Sequence, residues 1–130
     1  MADIRHLVPA GLPRPNGYSQ VVSAPAEALV FVSGQVPLDP DGELVGPGDL
    51  GAQTRQVFVN LTRALEAADA SWQDVVKLNY FLRDVSQIGV VRTVRDEFVD
   101  PERPPASTLV EVSRLFRDDV LVEVDAIAVR

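Results

Sequence analysis

Val120, Val122, Val124, Ala126 and Ala128 occupy every second position near the end of the chain, interleaved with Leu121, Glu123, Asp125, Ile127 and Val129. Only an extended strand sends alternate residues to opposite sides. One side of this strand is small and apolar, suited to packing under helices. The other mixes carboxylates with apolar residues, so it is neither an ordinary core face nor an ordinary wet one. A polar loop, Phe116 to Asp119, joins it to a preceding strand, Ala106 to Leu115. In that strand Ser107, Leu109, Glu111 and Ser113 fall together against Thr108, Val110 and Val112. Glu111, Glu123 and Asp125 are therefore expected on the face away from the helices. There they are desolvated, with partners or raised pKa values, or else solvent-exposed or held in ion pairs with Arg83, Arg114 or Arg130 of a neighbour.

The rest of the pattern supplies the layers. Met1 to Pro15 is rich in Pro and Gly and reads as a loosely held arm, with a short edge strand at Arg5 to Val8. Tyr18 to Ala24 reads as a strand. Ala28 to Gly34 is continuously apolar and β-branched, as in a central strand buried on both faces. Asp39-Pro40-Asp41-Gly42 is a turn signal. Asp49 caps a helix running to about Ala68, with Leu50, Val57, Leu61 and Leu65 at helical spacing. Trp72 to Leu82 reads as a strand. A second helix follows, where Asp84 and Gln87 form a capping-box pattern and Ile88, Val91, Val94, Arg95 and Phe98 mark its inward side. Pro101, Pro104 and Pro105 end it.

The order is β-β-α-β-α-β-β with an extra strand at the start: an α+β fold, a mixed sheet with two helices on one face. Two helices cannot cover both sides of a sheet whose strands are apolar on both, so self-association face to face is expected. The 130 residues fit a single domain, 1–130, and 46% hydrophobic content excludes disorder as the ground state. A net charge of −7 disfavours binding to nucleic acid, and the absence of cysteine removes disulfides and thiolate metal sites. No stretch reads as a signal peptide or a membrane span, which points to a soluble, cytoplasmic protein. His6, the single histidine, has no catalytic partners in its arm and is expected to pack. Asp39, Asp41 and Glu43 fit a turn better than a calcium loop.

The segments P-P-A-S-T-L-V-E-V-S-R-L and V-L-V-E-V-D-A-I-A-V-R resemble the C-terminal signature of the Rid family, the YjgF-type reactive intermediate (imine/enamine) deaminases. The likeness covers nearly the whole chain: Gly17-Tyr18-Ser19-Gln20, Val32 to Pro37, and Gln53-Thr54-Arg55-Gln56 with Asn60-Leu61 match the family's early strands and first helix. It implies a chorismate-mutase-like fold, a homotrimer with ligand clefts between subunits, and hydrolysis without metal or organic cofactor. Residue by residue, it implies Glu123 as the group that orients water, with Tyr18 and Ser33 lining the cleft. The family's carboxylate-binding arginine has no counterpart, since Ser107 stands in its place. Loss of that charge-assisted contact costs on the order of 2–3 kcal/mol, which argues against the usual 2-imino acids. Arg92 and Arg103 are the cations placed to compensate. The expected function is small-metabolite binding in inter-subunit clefts, with hydrolytic deamination of an enamine, imine or related electrophile. A metabolite-binding trimer without turnover is the alternative. Endoribonuclease action is disfavoured by the acidity and the lack of a histidine-based acid–base pair.

Overall fold

The computed structural model describes residues 3–130; Met1 and Ala2, the tip of the arm, lie outside the described residues. The strands are β1 (Arg5–Leu7), β2 (Val21–Ser23), β3 (Leu29–Gln35), β4 (Val75–Leu82), β5 (Ala106–Glu111) and β6 (Val122–Val129). The helices are α1 (Leu50–Ala67), between β3 and β4, and α2 (Ile88–Arg95), between β4 and β5. The order of elements is the expected one, including the extra strand β1.

Four strands form the main sheet in the order β3-β6-β4-β5, with β4 and β5 parallel and the other pairs antiparallel. The mixed pairing follows from the connections: α2 carries the chain back over the sheet, so β5 runs alongside β4. Strands β1 and β2 pair separately as an antiparallel ribbon. Its continuation joins the main sheet at Ser19, whose amide donates to the Pro105 carbonyl at 2.9 Å and whose hydroxyl donates to the Pro104 carbonyl.

Both helices lie on one face. From α1 come Val57, Phe58, Leu61 and Leu65, from α2 Val91 and Val94, and beneath them Leu78, Leu82, Val122, Val124, Ala126 and Ala128, all buried. Phe58 stacks on Trp72 with ring centroids 5.3 Å apart; truncating such a side chain costs about 3–5 kcal/mol. Asp49 caps α1 through the Ala52 amide at 3.0 Å. Gln53, fully buried, donates to the carbonyls of Gly46 and Asp119 and accepts from the Leu121 amide, clamping the start of α1 to the loop before β6.

Four expectations are corrected. Trp72–Asp74 forms a 3-10 turn, held by reciprocal Ser71–Asp74 capping, so β4 starts only at Val75. Asp84 caps another single turn, Val85–Gln87, and Gln87 bonds the Asp84 side chain rather than its backbone; α2 begins after it. β3 is an edge strand rather than a central one, with Leu29 59% and Phe31 70% exposed, because only Val30 and Val32 turn towards the helices. Glu111 lies on the helix side. Its register partner is the buried Leu82, and its carboxylate accepts from the Val85 amide at 3.0 Å.

The uncovered face therefore carries Leu29, Phe31, Phe81, Val110 and Ile127 among Lys77, Asn79, Thr108, Glu123 and Asp125. The polar groups are partly paired: Asn79 donates to Asp125 at 2.7 Å and Lys77 to Thr108 at 2.7 Å.

Candidate functional site

Glu123 sits mid-strand in β6, opposite Phe81 of β4. On its other side, β3 and β6 slip out of register: Val32 pairs with Ala126, but Gln35 pairs with Val124. Two residues, Ser33 and Gly34, thus stand where β6 offers one, as in a β-bulge. The bulge is fixed from behind by Asn60 of α1, whose amide donates to the carbonyls of Val36 (3.0 Å) and Leu38 (2.9 Å).

The extra residue brings Gly34 under the Glu123 side chain. A Cβ at position 34 would stand 2.8 Å from Cδ and 3.1 Å from Cγ of Glu123, so only glycine permits the carboxylate to lie there. Glu123 is part-buried, and among the described residues it has no hydrogen-bond or ion-pair partner. Desolvation raises its pKa above the ordinary 4.5, and the nearby Asp125 charge adds to the shift. Ser33, exposed, precedes Gly34 on the same ledge.

Tyr18 and Ser107 lie on the opposite side of the sheet. Ser107 is in register with the buried Leu78, hence on the helix side of β5. The Ser19 bonds to the turn before β5 bring the Tyr18 segment beside it. Tyr18, Ser107 and Arg92 line a cavity of about 300 Å³ under α2, together with Tyr80 and Arg95. Ile88, Val91 and Leu109 supply its apolar wall, and no carboxylate lines it.

Arg95 was legible only as an odd member of an apolar stripe. Its side chain is 11% exposed and its guanidinium rests against Gly17, which has φ +74°. It pairs with Asp96 at 2.9 Å and donates to the Asn16 carbonyl at 3.4 Å. Tyr80 is buried, and among the described residues its hydroxyl is the one buried side-chain polar atom without a partner. Burial pushes its pKa far up, so it remains a neutral O–H.

Arg103 is not part of this cavity. It lines a separate cleft with Trp72, Phe98 and Asp100, because the turn after α2 carries it away from β5. Its charge lowers the pKa of His6, though burial of the imidazole is the larger cause. His6 pairs within the β1–β2 ribbon. Asp39 accepts from the amides of Asp41 and Glu43 and so shapes its own turn. One chain thus presents two separate features, a carboxylate ledge on the open face and a basic cavity on the helix face.

A small mixed sheet with two helices on one face, an unpaired carboxylate beside a bulge and a polar cavity under the second helix define an α+β fold with its candidate site. The family model described as endoribonuclease L-PSP matches residues 12–130. The 3-aminoacrylate deaminase RutC of Acinetobacter baylyi is 35% identical over 122 residues, 94% of each chain. The 2-iminobutanoate/2-iminopropanoate deaminase of Escherichia coli is 37% identical over 105 residues, 78% of this chain and 80% of that one. Among solved structures, the Rid-family protein YyfB from Yersinia pestis superposes with a TM-score of 0.86 at 30% identity, covering 98% of this chain and 99% of that chain. The chain belongs to the Rid (YjgF-type, L-PSP) family. No helix among the described residues is long and apolar enough to cross a membrane.

Proposed function

We propose that the protein is a hydrolytic deaminase of a small imine or enamine, working in clefts between subunits of a homotrimer. The observation that carries this is Glu123: a part-buried, unpartnered carboxylate with a raised pKa, laid over a glycine in a β-bulge. A structural carboxylate at such a position would be paired, as Asp125 and Glu111 are. The deaminase names of two relatives support the same reading.

The chemistry asked of Glu123 is proton transfer. As water adds to the C=N carbon, the carboxylate takes one water proton and passes it to the imine nitrogen, which gives a neutral carbinolamine. The carboxylate then takes the carbinolamine hydroxyl proton and delivers it to the nitrogen as the C–N bond breaks, so a carbonyl compound and ammonia leave and Glu123 is again ionised. A pKa above the ordinary carboxylate range suits a group that must both accept and return a proton near neutrality. The apolar open face, with Leu29 and Phe31 exposed, is the surface a trimer would cover, and covering it would dry the ledge further.

Ammonia release from an imine generated in the assay, above its spontaneous hydrolysis, tests the reading. Glu123→Gln is expected to lose about 10²-fold or more. A rate equal to the uncatalysed blank, or unchanged in Glu123→Gln, contradicts it. The second reading, a metabolite-binding trimer without turnover, rests on Ser107, which brings no charge to β5. It predicts ligand-induced stabilisation with no ammonia.

A further inference from the structure

The chain has three asparagines, Asn16, Asn60 and Asn79. An asparagine side chain is open to attack by the next residue's amide nitrogen where that nitrogen is free and the next residue is small. Asn60 and Asn79 are protected. The Asn60 amide donates to the carbonyls of Val36 and Leu38, and Leu61 after it lies within α1. Asn79 donates to Asp125, and Tyr80 after it is paired in β4. Asn16 is exposed, and among the described residues its side chain makes no hydrogen bond. Gly17 follows it at φ +74°, and among the described residues its N–H has no acceptor. Asp41-Gly42 supplies the contrast. Gly42 has a similar φ of +80°, but its N–H donates to the Asp39 carbonyl at 2.9 Å and is not free to attack.

Arg95 bears on the same peptide bond. Its guanidinium fills the space that a Cβ at residue 17 would take, so this position must be glycine. It donates to the Asn16 carbonyl at 3.4 Å, which leaves the Gly17 N–H and the Asn16 side-chain amide unengaged. A positive charge beside Gly17 favours loss of the N–H proton, because the amide anion forms next to it. The Asp96 carboxylate, 2.9 Å from Arg95, offsets part of that charge. The Asp96 side chain is 56% exposed while that of Arg95 is 11% exposed, so solvent screens the acid more than the guanidinium.

We propose that Asn16 is a site of spontaneous deamidation, promoted by the Arg95 guanidinium, and that the product carboxylate neutralises the edge of the cavity under α2. The Gly17 nitrogen gives its proton to a base in the solvent and bonds to Cγ of Asn16. The Cγ–Nδ2 bond breaks, and the side-chain nitrogen takes a proton from the solvent and leaves as ammonia. Water then opens the cyclic imide at either carbonyl, giving aspartate or an isoaspartate linkage. One water is consumed and one ammonia released. Asn16 lines the cavity, whose cations are Arg92 and Arg95 and whose lining holds no carboxylate. Either product introduces one beside Arg95, and the isoaspartate also lengthens the backbone just before Tyr18.

The test is incubation of the full chain in mildly alkaline, heavy-oxygen water, followed by peptide mass spectrometry and by the turnover assay with an imine. Heavy oxygen should enter at Asn16 ahead of Asp41, Asn60 and Asn79. Asn16→Gln, whose longer side chain closes the imide ring poorly, should stay unlabelled at that position. Arg95→Gln should label about fivefold more slowly, the effect of one charge at about 4 Å through water, and Arg95→Lys should keep most of the wild-type rate. Wild-type turnover should fall in step with labelling, while Asn16→Gln, measured against its own fresh rate, should hold. No label at Asn16, equal labelling of the three asparagines, or a wild-type labelling rate in Arg95→Gln overturns the proposal. Labelling without loss of turnover overturns the effect on the cavity. Only that last arm rests on the deaminase reading: if fresh protein releases no ammonia from the imine, that reading fails, and the labelling still decides the modification.

Discussion

Replacing Gly34 by alanine separates the position of the Glu123 carboxylate from its mere presence. The new Cβ would overlap the Glu123 carboxylate oxygen and stand only 2.8 Å from Cδ, well inside ordinary van der Waals separation, so the carboxyl group must move by about 1 Å. The obstacle is the end of a flexible side chain, not backbone, so the chain can fold around it. Gly34 has no positive φ, and alanine there reduces the freedom of the unfolded chain, worth up to about 0.4–1 kcal/mol in favour of folding. Fold stability should therefore be kept or slightly raised. Catalysis should not be kept, because a displacement near 1 Å at a proton-transferring group costs on the order of 10²-fold. The assay pairs ammonia release with thermal unfolding on the same preparation. Wild-type turnover in Gly34→Ala would refute the claim that the bulge positions a catalytic carboxylate.

Other consequences can be measured separately. Phe31→Asp places a charge on the open face where 70% of the residue is exposed in the single chain, so light scattering should show loss of the proposed trimer with the monomer still folded. Glu123→Gln should raise Tm at pH 7. The folded-state pKa of Glu123 is raised, so the ionised form is penalised above that pKa, and the advantage of the glutamine should vanish as pH falls through it towards 4.5. Gln53→Ala removes three hydrogen bonds from a fully buried amide, and a loss of about 3 kcal/mol, or roughly 10 °C in Tm, is expected by calorimetry.

The order of elements was legible because period is a local property. The stripe of α1 and the alternation of β6 are visible residue by residue, and Asp49 announces its cap. The face of β5 was not. Ser107, Leu109 and Glu111 are no more polar as a set than Thr108, Val110 and their neighbours, so only the pairing with β4 decides which set meets the helices. The exposure of β3 was hidden for a related reason: a continuous apolar run looks the same whether helices or another chain cover its second face.

Alternation along β6 gave the face of Glu123, whereas Ser33 entered only through the family resemblance, since the pairing of β3 with β6 is long-range. Arg95 could not be placed from sequence. Its partners are Gly17 and Asn16 in a distant segment, and an arginine on an inward stripe is the sole local trace of them. Arg103 misled because closeness to β5 in sequence does not survive the turn through Pro104 and Pro105. Tyr80 gave no signal at all, since an unpartnered hydroxyl exists only once its surroundings are known.

In the proposed trimer, the carboxylate ledge of one subunit completes the cavity of another. Mixing two damaged chains tests it most directly: Glu123→Gln, which loses the carboxylate, and Ser107→Phe, which fills the cavity. Each alone should release ammonia at close to the uncatalysed rate. Equal coassembly in a cyclic trimer gives each cleft one chance in four of drawing both intact halves, so about a quarter of wild-type activity should return. Mixed trimers no more active than either parent would contradict the claim.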